Sequence, residues 1–144
     1  MKNLFRKIVL SPILRLLAYV IPKRNDLILF GSYLGKRFGD NSGALYRYLI
    51  EHHKGEFRYV WLTDNREVIP QVRSLKGEAY LKASPTGIWL SLRAALIITS
   101  YGTSDVLIYK PFRGRPRELH LSHGAAFRKV LVSPTIKEYA QSIT

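Results

Sequence analysis

The sequence predicts an α/β fold, a Rossmann-like parallel sheet with helices on both faces. Three observations carry that expectation. From residue 26 onward, short apolar runs of strand length alternate with longer stretches of helical character. Three of the runs end in Gly31-Ser32, Thr99-Ser100 and His123-Gly124, the kind of punctuation found where a strand gives way to a ligand-facing loop. No repeat or low-complexity segment interrupts the order, and 144 residues leave room for one such domain. Alternation at this spacing implies crossover connections, and crossovers put helices on both faces of a parallel sheet.

In order, "DLILFGS" (26–32) is a buried strand by its length and flanks. "NSGALYRYLIEHHKG" (41–55) is a helix with Asn41 or Ser42 as N-cap, Leu45, Tyr48 and Leu49 on its apolar side and Gly55 as the stop. "FRYVWLT" (57–63) is the second strand, "NREVIPQVRSLKG" (65–77) a short helical stretch containing Pro70, and "EAYLKA" (78–83) the third strand. "SPTGIWLSLRAA" (84–95) opens with Ser84 as cap and Pro85 at the first helical position, the usual order of those residues. "LIITS" (96–100) is a fourth strand, "DVLIYKP" (105–111) a candidate fifth and "ELHLSHG" (118–124) the last. The Pro/Arg-rich "KPFRGRPRE" (110–118) is expected to be an exposed basic loop.

Residues 1–24 read as a separate element, an amphipathic helix that precedes the domain at 25–144. "LFRKIVLSPILRLLAYVIP" (4–22) is the most apolar stretch, yet Lys7 and Arg15 cut it into runs well short of the ~20 residues that span a bilayer. Arg15 also splits any signal-like core, and no small-residue cleavage site follows. Lys7, Ser11 and Arg15 form one polar stripe at helical spacing, while Ile8, Ile13, Leu14, Leu16, Leu17, Val20 and Ile21 cover most of the rest. With Lys2, Arg6, Lys23 and Arg24 nearby, this is the pattern of a helix lying in an anionic membrane surface. The competing expectation is a helix that packs on its own protein. Pro12 could kink it and Pro22 should end it.

Charge points to anionic company: 23 Lys plus Arg against 10 Asp plus Glu give +13. Nucleic acid ranks last among the candidates, because the cations are spread along the chain and no recognised nucleic-acid motif appears. Absence of cysteine excludes disulfides and thiolate metal sites, and the histidines at 52, 53, 120 and 123 lack metal-ligand company, so no metal or other cofactor is expected.

The loop "GSYLGKRFGDNSG" (31–43) has neither the Walker spacing nor the dinucleotide fingerprint. Its Asp40-Asn41-Ser42 can cap the following helix, and with Lys36, Arg37 and that helix terminus it would also suit a phosphate-bearing ligand. His123 is the sharper candidate. At a strand exit it would face the ligand side of the sheet, where an imidazole can take a proton from a hydroxyl nucleophile. Gly124 would let backbone N–H groups approach the substrate, and Arg128 and Lys129 could hold phosphate oxygens. A lone histidine is also commonly a hydrogen-bonded structural residue, and the residues alone leave both roles open. Nothing marks His120 as catalytic.

"FGDNSGALYRYL" (38–49), "YVWLTDN" (59–65), "RAALIITS" (93–100) and "LSHGAAFRK" (121–129), in that order, resemble the amino-terminal domain of the CDP-glycerol glycerophosphotransferase family, over residues 26 to 130. The resemblance implies the glycosyltransferase-B arrangement, in which two Rossmann-like domains face a cleft, and glycerol phosphate transfer in teichoic-acid-like polymer synthesis. It places the general base on His123. A hydroxyl of a lipid-linked or polymer acceptor would attack the β-phosphate of CDP-glycerol and release CMP. Asp40, Asn41 and Ser42 fall on the family's Asp-Asn-Ser segment, which shapes the acceptor site. Where the family often has Trp before His-Gly and Thr-Pro-Leu-Lys after it, this chain has Ser122 and Ala125-Ala126-Phe127-Arg128, which bears on acceptor identity. The family's nucleotide-binding domain would begin near residue 144, so the expectation is half an enzyme, completed by further sequence or by a separate chain, and inactive alone. The alternative is a non-catalytic module that binds acceptor or anionic membrane.

Overall fold

The computed structural model describes residues 9–112 and 115–123. Helix α1 spans Ser11–Val20, β1 Arg24–Phe30, α2 Asp40–His52, β2 Arg58–Thr63, α3 Val68–Ser74, β3 Glu78–Leu81, α4 Pro85–Arg93, β4 Ala94–Thr99 and β5 Arg117–His120. The strands form one sheet in the order β3-β2-β1-β4-β5. Every neighbouring pair is parallel. The expected α/β architecture is therefore the observed one.

Strand periodicity sorts the core into two layers. In β1, Leu27 and Leu29 face α1 and α4, joined by Val60 and Leu62 of β2 and Ile97 of β4. Ile28 and Phe30 face α2 and α3, joined by Tyr59, Trp61 and Ile98. The register sets Leu29 between Val60 and Ile97, so one turn of the alternation runs straight across the three central strands. Each large side chain fully buried in this way contributes roughly 1.5–3 kcal/mol of transfer free energy. Tyr46 of α2 also ties its layer to the sheet edge. Its hydroxyl donates to the Glu78 carbonyl at 3.1 Å and accepts the Glu78 N–H at 3.0 Å. Burial pushes the Tyr46 phenol up to about 12.

Two local expectations are confirmed in detail. Ser84 caps α4 by accepting the Gly87 N–H at 3.0 Å, with Pro85 just inside the helix. Pro70 lies within the short α3.

Three others are corrected. Residues 105–111 form no strand: a 3-10 turn at Thr103–Asp105 redirects the chain. Val106, Leu107 and Tyr109 then fill the layer beneath α1 and α4, and the Tyr109 hydroxyl donates to Ser91 O at 3.0 Å. The run is apolar because it is core filler, not because it pairs. Second, neither Asn41 nor Ser42 caps α2. Gly39 holds the N-cap position without a side-chain cap bond, and Asp40 opens the helix at φ 61°. Third, the basic loop is exposed as expected at Lys110, Phe112 and Arg115, but its end at Arg117 and Glu118 belongs to β5 and its Phe112 packs on α1. Phe112 meets the Tyr19 ring edge-on at 5.6 Å, and the Arg15 guanidinium lies 4.0 Å from the Phe112 centroid.

Helix α1 carries Pro12 in its first turn, where no N–H is needed, and ends before Pro22 with Ile21 extended. Leu14 and Ala18 are buried against the α4 side of the core. Leu16 (60%) and Val20 (70%) remain exposed, so only one stripe of the apolar circumference is used for packing. Among the described residues no helix is long and apolar enough to cross a membrane.

Candidate functional site

The chain moves outward from β1 to β2 to β3, then returns to place β4 on the other side of β1. That reversal makes the carboxyl ends of β1 and β4 the topological switch point, where open α/β sheets form their ligand crevice. Gly31 makes the crevice narrow. A Cβ there would lie 2.5 Å from the Asp105 carbonyl oxygen, so only glycine permits the two exit loops to approach this closely.

Asp105, fully buried, organises both loops. Its carboxylate accepts the N–H groups of Ser100 at 2.9 Å, Tyr101 at 2.8 Å and Leu34 at 2.7 Å. Backbone strain gathers beside it: Tyr33 (φ 49°) and Leu34 (φ 56°) are non-glycine residues in the left-handed region, as is Ser122 (φ 62°). Such conformations cost of order 1 kcal/mol each and persist only where surrounding contacts impose them.

The predicted residues fall on this rim in different roles. Ser42 is buried: its hydroxyl donates to Gly31 O at 2.8 Å and pairs with the Ser100 hydroxyl at 2.9 Å. It is a joint between α2, β1 and β4 and presents nothing to a ligand. Asn41 gives its amide hydrogens to the carbonyls of Leu121 (3.3 Å) and Ser122 (3.1 Å). The segment leading into His123 is thereby held against the start of α2. Asp40 accepts the Asn41 N–H at 2.9 Å and lies at the rim.

His123 lies three residues beyond the end of β5 and is exposed. Its imidazole stacks on the Tyr101 ring with centroids 4.4 Å apart and planes within 7°. Tyr101 also meets Tyr33 at 5.1 Å, and the Arg37 guanidinium lies 5.9 Å from the Tyr33 centroid. Partial desolvation raises the Tyr101 phenol above its ordinary range, with Tyr33 and the carboxylates of Asp40 and Asp105 adding to it. Gly124, Arg128 and Lys129 lie outside the described residues. His120, the last residue of β5, places Nδ1 3.2 Å from the Thr99 hydroxyl, away from the Tyr101 stack.

Sequence reasoning missed Tyr101, Tyr33 and Asp105. The cue for Asp105 was an acidic residue at the head of an apolar run, which a strand would not bury unpaired. Tyr101 follows "LIITS" directly, but nothing local marks a tyrosine as the partner of a histidine 22 positions on.

Around the other side of the same strand exits lies a cleft of about 560 Å³, lined by Leu34, Asp64, Lys82, Ser104, Ile108 and Lys110 among others. Lys82, 4% exposed, spans its floor. The ammonium reaches Asp64 Oδ2 at 2.8 Å, Ser104 O at 2.8 Å and Leu34 O at 3.2 Å, which ties the exits of β1, β2, β3 and β4 together. Among the described residues no group of three His, Cys, Asp or Glu side chains could hold a metal ion.

The family described as CDP-Glycerol:Poly(glycerophosphate) glycerophosphotransferase matches residues 13–142. Among solved structures, the chain is similar to the wall teichoic acid polymerase TagF, with TM-score 0.54 and 20% identity over 83% of this chain and 30% of that one. A histidine-to-alanine variant of TagF gives TM-score 0.58 and 20% identity over 98% and 36%. A histidine-to-asparagine variant of TagF soaked with CDPG for 30 minutes gives TM-score 0.56 and 18% identity over 98% and 37%. At these identities the likeness is one of fold, and the chain spans roughly a third of the length of those chains. No curated protein matches.

Proposed function

The chain belongs to the CDP-glycerol:poly(glycerophosphate) glycerophosphotransferase family, and from that premise we propose that it is the acceptor-side domain of such a transferase, with His123 as general base. The observation that carries the proposal is the Tyr101–His123 stack at the exits of β4 and β5, beside the switch point of the sheet. An exposed imidazole in that place has one face against Tyr101, and among the described residues its ring nitrogens make no hydrogen bond, which suits proton transfer from an incoming hydroxyl.

In the reaction, the acceptor hydroxyl oxygen forms a bond to the β-phosphorus of CDP-glycerol as the bond from that phosphorus to the bridging oxygen breaks. His123 takes the hydroxyl proton, and the electron pair of the broken bond leaves with CMP. Positioning both substrates supplies most of the acceleration in such a displacement. Asn41 serves it indirectly, by holding Leu121 and Ser122. Ser42 joins the elements beneath, and Asp40 shapes the rim. Gly124, Arg128 and Lys129 would complete the phosphate side through backbone N–H groups and fixed charge. The nucleotide of CDP-glycerol would be held by a second domain outside these residues, in the same or a separate chain.

Helix α1 would bring this domain to an anionic membrane on the cytoplasmic side, where a lipid-linked or polymer acceptor is available. Its exposed Ile13, Leu16 and Val20 support insertion, and the net charge of +13 supports attraction. The test is transfer itself. Labelled CDP-glycerol is offered with acceptor-bearing membranes to this chain supplied with its nucleotide-binding domain. CMP release coupled to labelled polymer supports the reading; binding of acceptor or membrane with no transfer would identify a non-catalytic module.

A further inference from the structure

Two buried charged side chains take no part in the chemistry assigned to His123: Lys82, 4% exposed, and Asp105, fully buried. Burying a charge is costly unless its bonds are made, and the groups that make those bonds are then held in place. The two charges meet at one residue. Asp105 accepts the Leu34 N–H at 2.7 Å, and the Lys82 ammonium donates to Leu34 O at 3.2 Å. Leu34 has φ 56° and ψ 27°, a left-handed backbone that a leucine adopts only where its surroundings impose it. Its side chain is 49% exposed, so packing contributes little to that constraint and the two backbone bonds supply it. The next residue is held as firmly. Gly35 O accepts the Asp64 N–H and the Thr63 hydroxyl, each at 2.7 Å. A Cβ on Gly35 would lie 2.6 Å from Lys82 Nζ, so the ammonium rests directly against the turn.

This clamp reaches the rim by two routes. Tyr33, which precedes Leu34 and shares its left-handed conformation (φ 49°), places its ring 5.1 Å from Tyr101. The second carboxylate oxygen of Asp105 takes the N–H groups of Ser100 and Tyr101. Lys82 also holds the carbonyl of Ser104, the residue before Asp105, at 2.8 Å. Tyr101 in turn carries the His123 imidazole on its face. We propose that Lys82 is a positioning residue for His123, acting through Leu34 and Asp105 on the Tyr33–Tyr101 ring pair. Lys82 directly follows β3, so the exit of an edge strand sets the geometry of a rim built on β1, β4 and β5. Asp64 supplies its counter-charge at 2.8 Å. The importance of the clamp for turnover rests on the general-base reading above; the coupling itself rests on these bonds alone.

Proton shifts and amide exchange in the 144-residue chain test the coupling without turnover. Lys82→Met keeps a side chain of similar length and removes the charge with its bonds. The His123 ring protons should then lose most of the upfield shift that Tyr101 gives them. The Leu34 and Tyr101 amides should lose protection together, each by about tenfold or more. Lys82→Cys, alkylated with bromoethylamine in denaturant and refolded, puts an ammonium back at that place, and the shift should return; the chain has no cysteine of its own to react. If Lys82→Met does not fold, Asp64→Ala carries the test. It takes the counter-charge from the buried ammonium at a partly exposed position, and the same two amides should lose protection in step. With the nucleotide-binding domain present, Lys82→Met should lower kcat roughly tenfold with KM within about threefold. A folded Lys82→Met protein that keeps the His123 shift and loses only melting temperature overturns the inference. Unchanged protection in Asp64→Ala does so too, as does an unchanged kcat in Lys82→Met where His123→Ala is inactive. Normal turnover in His123→Ala would remove the general-base reading, while a shift lost in Lys82→Met would still establish the coupling.

Discussion

Tyr101 and His123 stack almost face to face, 4.4 Å between centroids, although one leaves β4 and the other follows β5. The Tyr101 N–H donates to the buried Asp105 carboxylate, which holds the backbone that carries the ring. On the proposal that His123 is the general base, Tyr101 would be its positioning residue. We expect Tyr101→Phe, which keeps the ring, to retain turnover within about threefold, and Tyr101→Ala to lower kcat by roughly tenfold or more with a smaller change in KM. The His123 ring protons should show an upfield ring-current shift that survives in Phe and vanishes in Ala. Equal turnover in the two variants, or no ring-current shift, would remove Tyr101 from this role.

The second prediction concerns acid stability. Hydrogen bonding to Arg58, and then to Tyr80, holds the Glu78 carboxyl below the usual carboxylate range. A lowered folded value means the contribution is complete above the unfolded value of about 4.3 and is lost as pH falls through the folded one. The pair is partly exposed, so about 0.5–1 kcal/mol is at stake. Glu78→Gln should be less stable than the parent by that amount at pH 7, with the gap closing below about pH 4 in denaturant titrations. A gap that widens on acidification would contradict the assignment.

The third concerns α1. Leu16 and Val20 face outward from a helix whose Leu14 and Ala18 are buried. Leu16→Glu with Val20→Glu should therefore leave the melting temperature nearly unchanged and abolish sedimentation with anionic vesicles. Each cation near such a surface contributes on the order of 1 kcal/mol, so added salt should weaken the parent's binding. If the double variant co-sediments as well as the parent, the membrane role is wrong.

What the sequence made legible follows physical range. Ser84-Pro85 and the short apolar runs "DLILF" and "RYVWL" are decided within a few residues, and they appear as the helix start and the strands that were expected. "DVLIYKP" misled because apolarity reports burial, and a loop packed under α4 is as buried as a strand. The α2 terminus misled for a different reason. Asn41 and Ser42 are good caps in isolation, but the Leu121 and Ser122 carbonyls and the Gly31–Ser100 joint claim their side chains. Those partners lie 80 and 58 positions away for Leu121 and Ser100, beyond any local pattern. The site likewise needed the sheet order before Tyr101 and His123 could be seen as neighbours.

The most direct measurement is turnover and melting temperature on His123→Ala, made in this chain together with its nucleotide-binding domain. A general base contributes about 10²–10⁴ in rate. His123 is exposed and makes its ring contact at the rim, so its loss should cost little stability. The account predicts turnover reduced by that factor with melting temperature and vesicle binding nearly unchanged, while His120→Ala, beside Thr99 and away from the stack, keeps most of its activity. A folded His123→Ala protein with near-normal turnover would contradict it.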